Sequence, residues 1–381
     1  MSSKNKFQVV LICGELSNGG AEKQILLLSE GLAAKNIEYK VISLSKKKGK
    51  YVEGFDEISK NILFFGIKKN LRGLLELFKM IRKVFIFKKK NTKLIVHSYL
   101  YRPSLVASIF KLIYPRCIFI PSFRSGIPDD LFKRLKNPKS FSSYQILTSI
   151  KYVLFLATKV HFNSNSVMKQ FEMIKGFSKN IEKFIVLRNI LDIKRFKSEE
   201  FVSNETTSDA DYIFDKFKES LIIFSPGRIN TAKNQLELIK AVSMLKNPSN
   251  VLVILAGEIQ DKLYFDQITE VARLSHIKIE YIGFVHDIYG FYKKSNLVVF
   301  PSKFPESNSN VILESIMSNT PLIVKIKSDP DGVAKGYAKY YSSIKELALL
   351  LGSHSSIGTP MNFQIKGASV DDYLLMYDAL S

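Results

Sequence analysis

Residues 7–44 read FQVVLICGELSNGGAEKQILLLSEGLAAKNIEYKVISL, and this stretch decides the fold. Residues 7–13 form an apolar run rich in β-branched side chains, which is typical of a strand buried on both faces. A turn with two glycines follows, then apolar residues at helical spacing that end near Asn36, and then a second strand at 37–44. Strand, turn, helix and strand make a βαβ unit, which predicts a parallel sheet.

The same alternation continues along the chain. Further strands are predicted at 61–65, 93–97, 117–121, 159–163, 184–188, 221–225, 250–256, 278–283, 296–301 and 321–326. The polar, turn-rich segment 195–219 interrupts the alternation. We therefore predict an α/β protein of two Rossmann-like, doubly wound parallel-sheet domains. Their predicted bounds are 1–190 and 191–365, and a capped terminal helix within 366–381 is expected to pack back toward the amino-terminal domain.

The net charge of the chain is concentrated in its first half. The 381 residues carry a formal net charge of +21. Residues 1–190 hold 35 basic and 12 acidic side chains, a net charge of +23, whereas residues 191–381 hold 21 basic and 23 acidic side chains. This asymmetry indicates two domains with different partners, one of which is negatively charged.

Composition excludes several classes of protein. A hydrophobic content of 46% is too high for a disordered polycation. Two cysteines, Cys13 and Cys117, make neither a disulfide framework nor a cysteine zinc cluster, and they fit a reducing, cytoplasmic location. A signal-peptide pattern and a run of about 18 uncharged apolar residues are both lacking. The negative partner is therefore nucleic acid, a membrane surface or a phosphorylated small molecule.

The first candidate site is Gly19-Gly20, which precedes a predicted helix. Glycines let the backbone approach a ligand, and a helix amino terminus offers N–H groups to an anion. The alternative is a tight strand-to-helix turn.

The second candidate is SPGRINTAKNQLELIKAV, residues 225–242. Gly227 and Arg228 directly follow a predicted strand, and Lys233 comes where a helix begins. Two cations and a helix amino terminus at the carboxyl edge of a parallel sheet suit a diphosphate. The alternative is that both cations are solvated loop charges.

The third candidate is PSKFPESNSNVILESIMSNTPLIV, residues 301–324. Glu306 precedes a predicted helix that opens within Asn308–Val311, and Glu314 follows seven residues after it. The helix amino terminus suits a diphosphate, and the carboxylates can contact sugar hydroxyls or a transferred group. The alternative is a surface helix with two ordinary glutamates.

Taken together and in this order, the segments resemble the retaining nucleotide-sugar glycosyltransferases of the GT-B fold, in particular family 4. The resemblance spans nearly the whole chain. The segments that carry it are SNGGAEKQ, GRINTAKN, the E-x7-E spacing of Glu306 and Glu314, and the smaller echoes LAGEI (255–259), YIGFV (281–285) and VLRNILDIKRF (186–196). The resemblance implies two domains that face each other across a cleft.

The resemblance also implies a role for each matching residue. Arg228 and Lys233 would bind the donor diphosphate. Glu306 would contact the donor sugar, and Glu314 would bind the ribose. Gly20 would let the amino-terminal domain close on the donor phosphates. The other donor-binding positions that it implies are Gly227, Gly257, Glu258, Val285, Asn308, Asn310 and Val311.

The reaction implied is transfer of a sugar from a nucleotide diphosphate, usually UDP, to a hydroxyl group with retention of the anomeric configuration. No metal cofactor is expected, because the two cations take its place. Asp209-Ala210-Asp211 spells D-x-D, but it lies in the polar boundary segment, so no metal site is predicted there.

The chain departs from the family pattern in two places. Ser307, Asn308 and Ser309 stand where glycine and proline are common, although Asn and Ser tolerate turns. The sequence Pro121-Ser122-Phe123-Arg124 stands where the family often has a histidine. We expect Arg124 and His97 to lie on the acceptor side, the alternative for His97 being a buried strand-end histidine.

The basic half predicts a membrane surface as a partner. Residues 68–93 contain ten Lys or Arg and one acid, and residues 131–171 contain seven basic residues and no acid. Apolar and aromatic residues are interleaved with these charges, as in segments that bind anionic membranes. No nucleic-acid-binding motif is present, so nucleic acid is not expected as a partner. The simpler alternative is that residues 71–86 pack on the sheet with their lysines outward.

The function predicted is therefore transfer of a hexose or N-acetylhexosamine to a lipid-linked or other glycan acceptor, at the inner face of the cell membrane, in surface polysaccharide or glycolipid assembly. Two alternatives stay open at this point. One is a sugar-nucleotide epimerase on a similar fold, and the other is a non-catalytic sugar-nucleotide-binding subunit.

Overall fold

The structure is a computed structural model, and it describes residues 6–49, 56–67, 70–127, 129–136, 140–174, 176–197, 211–285, 288–360, 363–365 and 367–381. The chain divides into two compact units. The first is Met1–Ile190 together with Gly367–Ser381, and the second is Leu191–Lys366.

The first unit contains a parallel sheet of seven strands in the order β3-β2-β1-β4-β5-β6-β7. The strands are β1 (Phe7–Cys13), β2 (Tyr39–Ser43), β3 (Ile62–Phe64), β4 (Lys93–Tyr99), β5 (Ile118–Phe123), β6 (Val160–Phe162) and β7 (Phe184–Val186). The helices between them are α1 (Gly20–Ala34), α2 (Asp56–Ser59), α3 (Leu71–Phe87), α4 (Tyr101–Ile113), α5 (Asp129–Lys136), α6 (Phe141–Leu156) and α7 (Asn165–Glu172).

The second unit contains a parallel sheet of six strands in the order β10-β9-β8-β11-β12-β13. The strands are β8 (Leu221–Pro226), β9 (Val251–Ala256), β10 (Lys278–Gly283), β11 (Leu297–Phe300), β12 (Leu322–Lys325) and β13 (Lys339–Tyr341). The helices are α8 (Ile193–Lys197), α9 (Gln235–Val242), α10 (Lys262–Leu274), α11 (Tyr289–Lys294), α12 (Asn310–Met317) and α13 (Ile344–Gly352).

The last helix, α14 (Val370–Leu380), belongs to the first unit. Ser369 and Asp372 form a reciprocal capping box at its start. Tyr373 and Tyr377 of this helix are buried against β1 and β4. The chain thus returns to its first sheet after completing the second.

Side chains alternate between two buried layers on either side of the first sheet. Val10 and Ile12 of β1 pack with α3, α4 and α6, whereas Val9 and Leu11 pack with α1, α2 and α14. This alternation follows from the two-residue period of a strand. It explains why β1 is a continuous apolar run, because both of its faces are covered by helices.

The prediction of two Rossmann-like parallel-sheet domains is confirmed, and each strand predicted from an apolar run is present. Asn36 and Asn319 end helices in the left-handed conformation, with φ of 56° and 54°. Strand β13 was not predicted, since its three residues, KYY, carry no apolar run. Within the described ranges, no helix is long and apolar enough to span a bilayer.

Candidate functional site

The second and third candidate segments meet at the carboxyl edge of the second sheet. In this sheet β8 lies between β9 and β11, so the strand order reverses there. Gly227 and Arg228 directly follow β8, and the loop that carries Glu306 follows β11. The carboxyl edge at such a reversal is where open α/β sheets bind ligands.

Lys233 and Glu306 form an ion pair that joins the two loops. The Lys233 Nζ lies 2.5 Å and 2.6 Å from the two carboxylate oxygens of Glu306. Ser302 also donates from its Oγ to Glu306 Oε1, at 2.5 Å. The side chains of Lys233 and Glu306 are only 19% and 23% exposed, so the pair is largely shielded from solvent. The carboxylate is therefore held in one orientation from two sides.

Backbone contacts tie the same two loops together. The Lys303 N–H donates to the Ala232 carbonyl at 2.8 Å. Asn234 adopts the left-handed conformation with φ of 62°, and its Nδ2 donates to the Pro301 carbonyl at 3.3 Å. Asn234 also donates to Glu237, which pairs with Lys325 of β12. The position of Lys233 thus depends on three neighbouring strands.

Gly227 and Gly257 are in direct backbone contact. A Cβ on Gly257 would lie 2.3 Å from the Gly227 carbonyl oxygen, and Gly257 has a φ of 133°. The Gly257 N–H donates to the Gly283 carbonyl at 2.6 Å, so the loops after β8, β9 and β10 are joined in a row. Val285 is half-buried at the end of this row. Glu258 accepts a backbone bond from Ile229 through its carbonyl, at 2.8 Å.

Helix α12 begins at this edge, at Asn310, directly before Val311. The preceding Asn308 is buried and left-handed with φ of 50°. The expectation that an Asn in this loop makes the turn is therefore confirmed. Glu314 lies one turn into the helix, is 7% exposed, and accepts a hydrogen bond from the Tyr292 hydroxyl at 2.8 Å.

Arg228 differs from these residues because its side chain is exposed. Its carbonyl accepts a hydrogen bond from Gln235 Nε2 at 3.1 Å, which fixes the backbone of the loop. The guanidinium is thus attached to a fixed backbone at the sheet edge. The structure brings together Gly227, Arg228, Lys233, Gly257, Glu258, Val285, Glu306, Asn308, Asn310, Val311 and Glu314 in one unit.

Gly20, His97 and Arg124 belong to the first unit. Gly20 is exposed at the first position of α1, after the extended Gly19. His97 is fully buried in β4, where its Nδ1 lies 2.7 Å from the Tyr377 hydroxyl and its Nε2 lies 3.2 Å from His161 Nδ1. The buried strand-end histidine that we weighed as the alternative therefore describes the surroundings of His97.

Arg124 lies 7% exposed just beyond β5. Its Nη2 donates to the Asn189 Oδ1, and its guanidinium carbon lies 5.3 Å from the centre of the Tyr99 ring. In the part of the chain that the structure describes, Nη1 is buried without a hydrogen-bond partner. Arg124 is thus a nearly buried cation beside aromatic rings rather than beside a carboxylate.

Burial controls the protonation of the two histidines. It lowers the pKa of His97 well below its ordinary value, and His161 and Arg124 lower it further. Burial, with Arg124, lowers the pKa of His161 to about 3. Both rings are therefore neutral at pH 7.

Sequence reasoning missed Ser302 and Tyr292. Ser302 lies four residues before Glu306 and two residues beyond the end of β11, and this position could have indicated it as a site residue. Tyr292 lies 22 residues before Glu314, and nothing in its local sequence indicates the contact.

No group of three or more His, Cys, Asp or Glu side chains among the described residues is arranged to hold a metal ion. Two of the three D-x-D residues, 209 and 210, lie outside the described residues.

Comparisons with known proteins place this geometry in context. The family model for glycosyl transferases group 1 matches residues 209–339. A curated relative from Campylobacter jejuni, N-acetylgalactosamine-N,N'-diacetylbacillosaminyl-diphospho-undecaprenol 4-alpha-N-acetylgalactosaminyltransferase, is 26% identical over 156 residues. That alignment spans 40% of this chain and 37% of the relative, so it covers well under half of either protein.

Solved structures match over nearly the full length. HepE from Anabaena, in complex with UDP and glucose, has a TM-score of 0.70 and 17% identity, and the match covers 92% of this chain and 90% of HepE. A glycosyltransferase from Rickettsia africae has a TM-score of 0.67 and 20% identity, with 93% and 89% covered. The fold is therefore GT-B, and residues 209–339 of the carboxyl-terminal unit are similar to the glycosyl transferases group 1 family.

Proposed function

We propose that this chain is a retaining glycosyltransferase of family 4. It transfers a sugar from a nucleotide diphosphate, which we propose to be UDP, to a hydroxyl group of a lipid-linked saccharide. The observation that carries the proposal is the ion pair of Lys233 with Glu306 at the sheet edge where Arg228 also emerges. Lys233 from one loop and Glu306 from the next lie side by side. A cation and a carboxylate in this arrangement suit the two parts of a donor, the diphosphate and the sugar bonded to it.

The cations act on the leaving group. As the bond from the sugar to the diphosphate breaks, negative charge grows on the diphosphate oxygens. Lys233 and Arg228, together with the N–H groups at the start of α12, supply positive potential at that point. Lys233 is already held by Glu306, so little reorganisation is needed when the donor binds.

The two carboxylates act on the sugar and the ribose. Glu306 is oriented by Lys233 and Ser302 and is ready to accept hydrogen bonds from donor-sugar hydroxyls. Glu314 is oriented by Tyr292 and binds the ribose hydroxyls. The loops joined at Gly227, Gly257 and Gly283 lie along the sheet edge. We propose that the nucleotide lies along them, with its base near Glu258 and Val285.

The choice of substrates is supported by the comparisons. HepE is described with UDP and with UDP-glucose, and the Campylobacter relative is named for transfer of N-acetylgalactosamine to a diphospho-undecaprenol-linked saccharide. We therefore propose a UDP-linked hexose or N-acetylhexosamine as donor and a polyprenyl-diphosphate saccharide or glycolipid as acceptor, with no metal cofactor. The reaction would belong to surface polysaccharide or glycolipid assembly.

The acceptor side is proposed to lie in the first unit. Arg124 is the stronger candidate there, since its buried Nη1 lacks a hydrogen-bond partner within the described ranges. His97 would act less directly, by holding the buried layer beneath Tyr99, whose ring it stacks on at 4.7 Å. The net charge of +23 in residues 1–190 supports an anionic membrane surface at the inner face of the cell membrane as the place of reaction.

The test is a screen of radiolabelled UDP-sugars with a membrane lipid extract. Wild-type protein is expected to move label into the lipid fraction, and NMR of the product is expected to report the donor's anomeric configuration. Arg228→Ala and Glu306→Ala should both abolish transfer, while the exposed Lys240→Ala in α9 should not.

Two outcomes would contradict the proposal. Binding of donors without transfer or hydrolysis, for every donor tried, would indicate a non-catalytic binding subunit. Conversion of the free donor to an epimer would indicate the epimerase.

A further inference from the structure

Helix α3 is apolar on two opposite sides. One stripe, Gly73, Leu77, Met80 and Val84, packs on the first sheet. A second stripe is offset by two residues, which turns it by about 200° around the helix axis. This outer stripe consists of Leu71, Leu75, Phe78 and Ile86, which are 74%, 55%, 61% and 68% exposed. A helix that only covers a core has a polar outer side, so the outer stripe of α3 is not explained by packing on the sheet.

Helix α6 repeats the arrangement with aromatic residues. Ser143, Leu147 and Ile150 are among its buried residues. Its outer side carries Phe141, Tyr144, Tyr152 and Phe155, which are 78%, 52%, 41% and 75% exposed. Among the described residues of the first unit, α3 and α6 thus both present exposed apolar side chains.

Both helices lie on the same face of the first sheet. Met80 of α3 and Leu147 of α6 belong to one buried cluster, which also contains Phe110 of α4. The opposite face is covered by α1, α2 and α14, and among the described residues of those three helices the exposed large apolar residue is Leu375. The exposed apolar surface is therefore one-sided.

Positive charge accompanies the outer stripes. Arg72, Lys79, Arg82 and Lys83 of α3 are exposed around its outer stripe. The single acid of α3, Glu76, is paired with Lys79, and residues 131–171 contain no acid at all. The opposite face is different, because helix α14 by itself carries three acidic residues, Asp371, Asp372 and Asp378. The apolar face is thus also the cationic face.

We propose that the outer stripes of α3 and α6 form one docking face for an anionic bilayer surface. Phe and Leu side chains would enter the interface, while Arg and Lys would reach the lipid phosphates. The inference rests on the proposed function and deepens it, because it names the surface by which the enzyme reaches a lipid-linked acceptor.

The charge pattern selects a bilayer over a second copy of the chain. A symmetric dimer through this face would bring two sets of arginines and lysines together with almost no carboxylates between them, and that repulsion opposes association. An anionic lipid surface removes the repulsion and accepts the apolar side chains as well.

The first experiment uses the fact that the chain contains no tryptophan. Phe78→Trp places a single indole in the outer stripe of α3, and Leu375→Trp places one on the opposite face as a matched control. On vesicles of phosphatidylcholine with phosphatidylglycerol, the indole emission of the Phe78→Trp variant should shift to shorter wavelength and be quenched by brominated lipid. The indole emission of the Leu375→Trp variant should be unchanged.

The second experiment separates charge from apolar contact. Arg82→Gln with Lys83→Gln should weaken vesicle binding roughly 25-fold, about fivefold for each charge removed. Lys240→Gln with Lys246→Gln removes the same charge from exposed positions of the second unit and should leave binding unchanged. Leu75→Ser with Phe155→Ser should also weaken binding, at low salt as well as at high salt.

The outcomes distinguish this inference from the proposed function. Vesicle binding without sugar transfer from any donor would contradict the proposed function but not the docking face. Sugar transfer with no vesicle binding, or binding that the Arg82, Lys83, Leu75 and Phe155 variants leave intact, would overturn the docking face. A dimer that sedimentation shows to dissociate on Phe78→Ser would overturn it too, since a second copy would then be the occupant. Melting followed by circular dichroism checks that each variant is folded.

Discussion

The two parallel sheets share a topology but use their charges in opposite ways. In the second unit, two lysines close to the carboxyl edge are paired at 2.5 Å with carboxylates, Lys233 with Glu306 and Lys325 with Glu237, and these side chains are at most 23% exposed. In the first unit, most cations lie on the outer surface, and the buried Arg124 has aromatic and amide neighbours instead. Paired, shielded charges fix atoms in position, whereas unpaired surface charges attract an extended anion from any direction.

The strongest test of this contrast is Glu306→Gln. The amide keeps the shape but loses the charge that holds Lys233, so both groups of the proposed donor site lose their orientation. We expect sugar transfer to fall by about 10²–10³, which is the effect of removing one preorganised polar group from an active site. The measurement is the initial rate of transfer to the lipid acceptor, and vesicle binding should be unchanged. A variant with normal transfer would contradict the role of the pair.

Gly257→Ala tests whether backbone contact, rather than charge, sets the loops of the second unit. The added Cβ would meet the Gly227 carbonyl at a φ that side chains avoid. We expect a loss of about 3 kcal/mol in the free energy of unfolding, from strain and overpacking. Gly290→Ala in α11, with nothing within 4 Å, is the control and should not destabilise the protein. Equal denaturation midpoints for both variants would show that the contact is not important.

Acid should destabilise the first unit through its buried histidines. The pKa of His161 is about 3 in the folded chain, below its ordinary value, so the unfolded chain takes up protons first as the pH falls. From pH 7 to pH 4.5 this one group should lower the free energy of unfolding by about 2.5 kcal/mol. Urea unfolding against pH measures the effect, and His161→Asn should flatten the slope. A slope that is the same in both proteins would contradict the prediction.

Tyr292→Phe tests the smallest part of the contrast, a single buried hydroxyl. Loss of its hydrogen bond to Glu314 should cost about 1.5 kcal/mol, a typical value for a hydrogen bond to a charged group, and raise the KM for the donor about tenfold. Tyr340→Phe removes a similar bond, from Tyr340 to Asp329 at 2.6 Å, and should leave this KM unchanged. If both variants raised KM alike, Tyr292 would have only a general structural role.

Features that depend on neighbouring residues in the sequence could be predicted from it, whereas contacts between residues far apart in the sequence could not. Strands such as β1 were predictable because burial on both faces requires continuous apolar runs. The meeting of Arg228, Lys233 and Glu306 at one sheet edge was predictable because these residues lie in loops that follow two strands of one parallel sheet. The Tyr292–Glu314 bond was not, because the tertiary fold brings together residues 22 positions apart. The apolar residues of 71–86 were visible in the sequence, but the sequence does not tell which of the two apolar stripes of α3 faces the sheet.

The glycine contact between the loops after β8 and β9 has a consequence for variation among related chains. Gly227, Ile229 and Gly257 join these loops and the next through N–H and C=O groups, which every amino acid carries. Side chains in the loops are then free to change while the loops stay in place, as long as the glycines are kept. A sheet edge whose loops are joined by main-chain atoms can thus keep its shape through extensive change in the side chains around it.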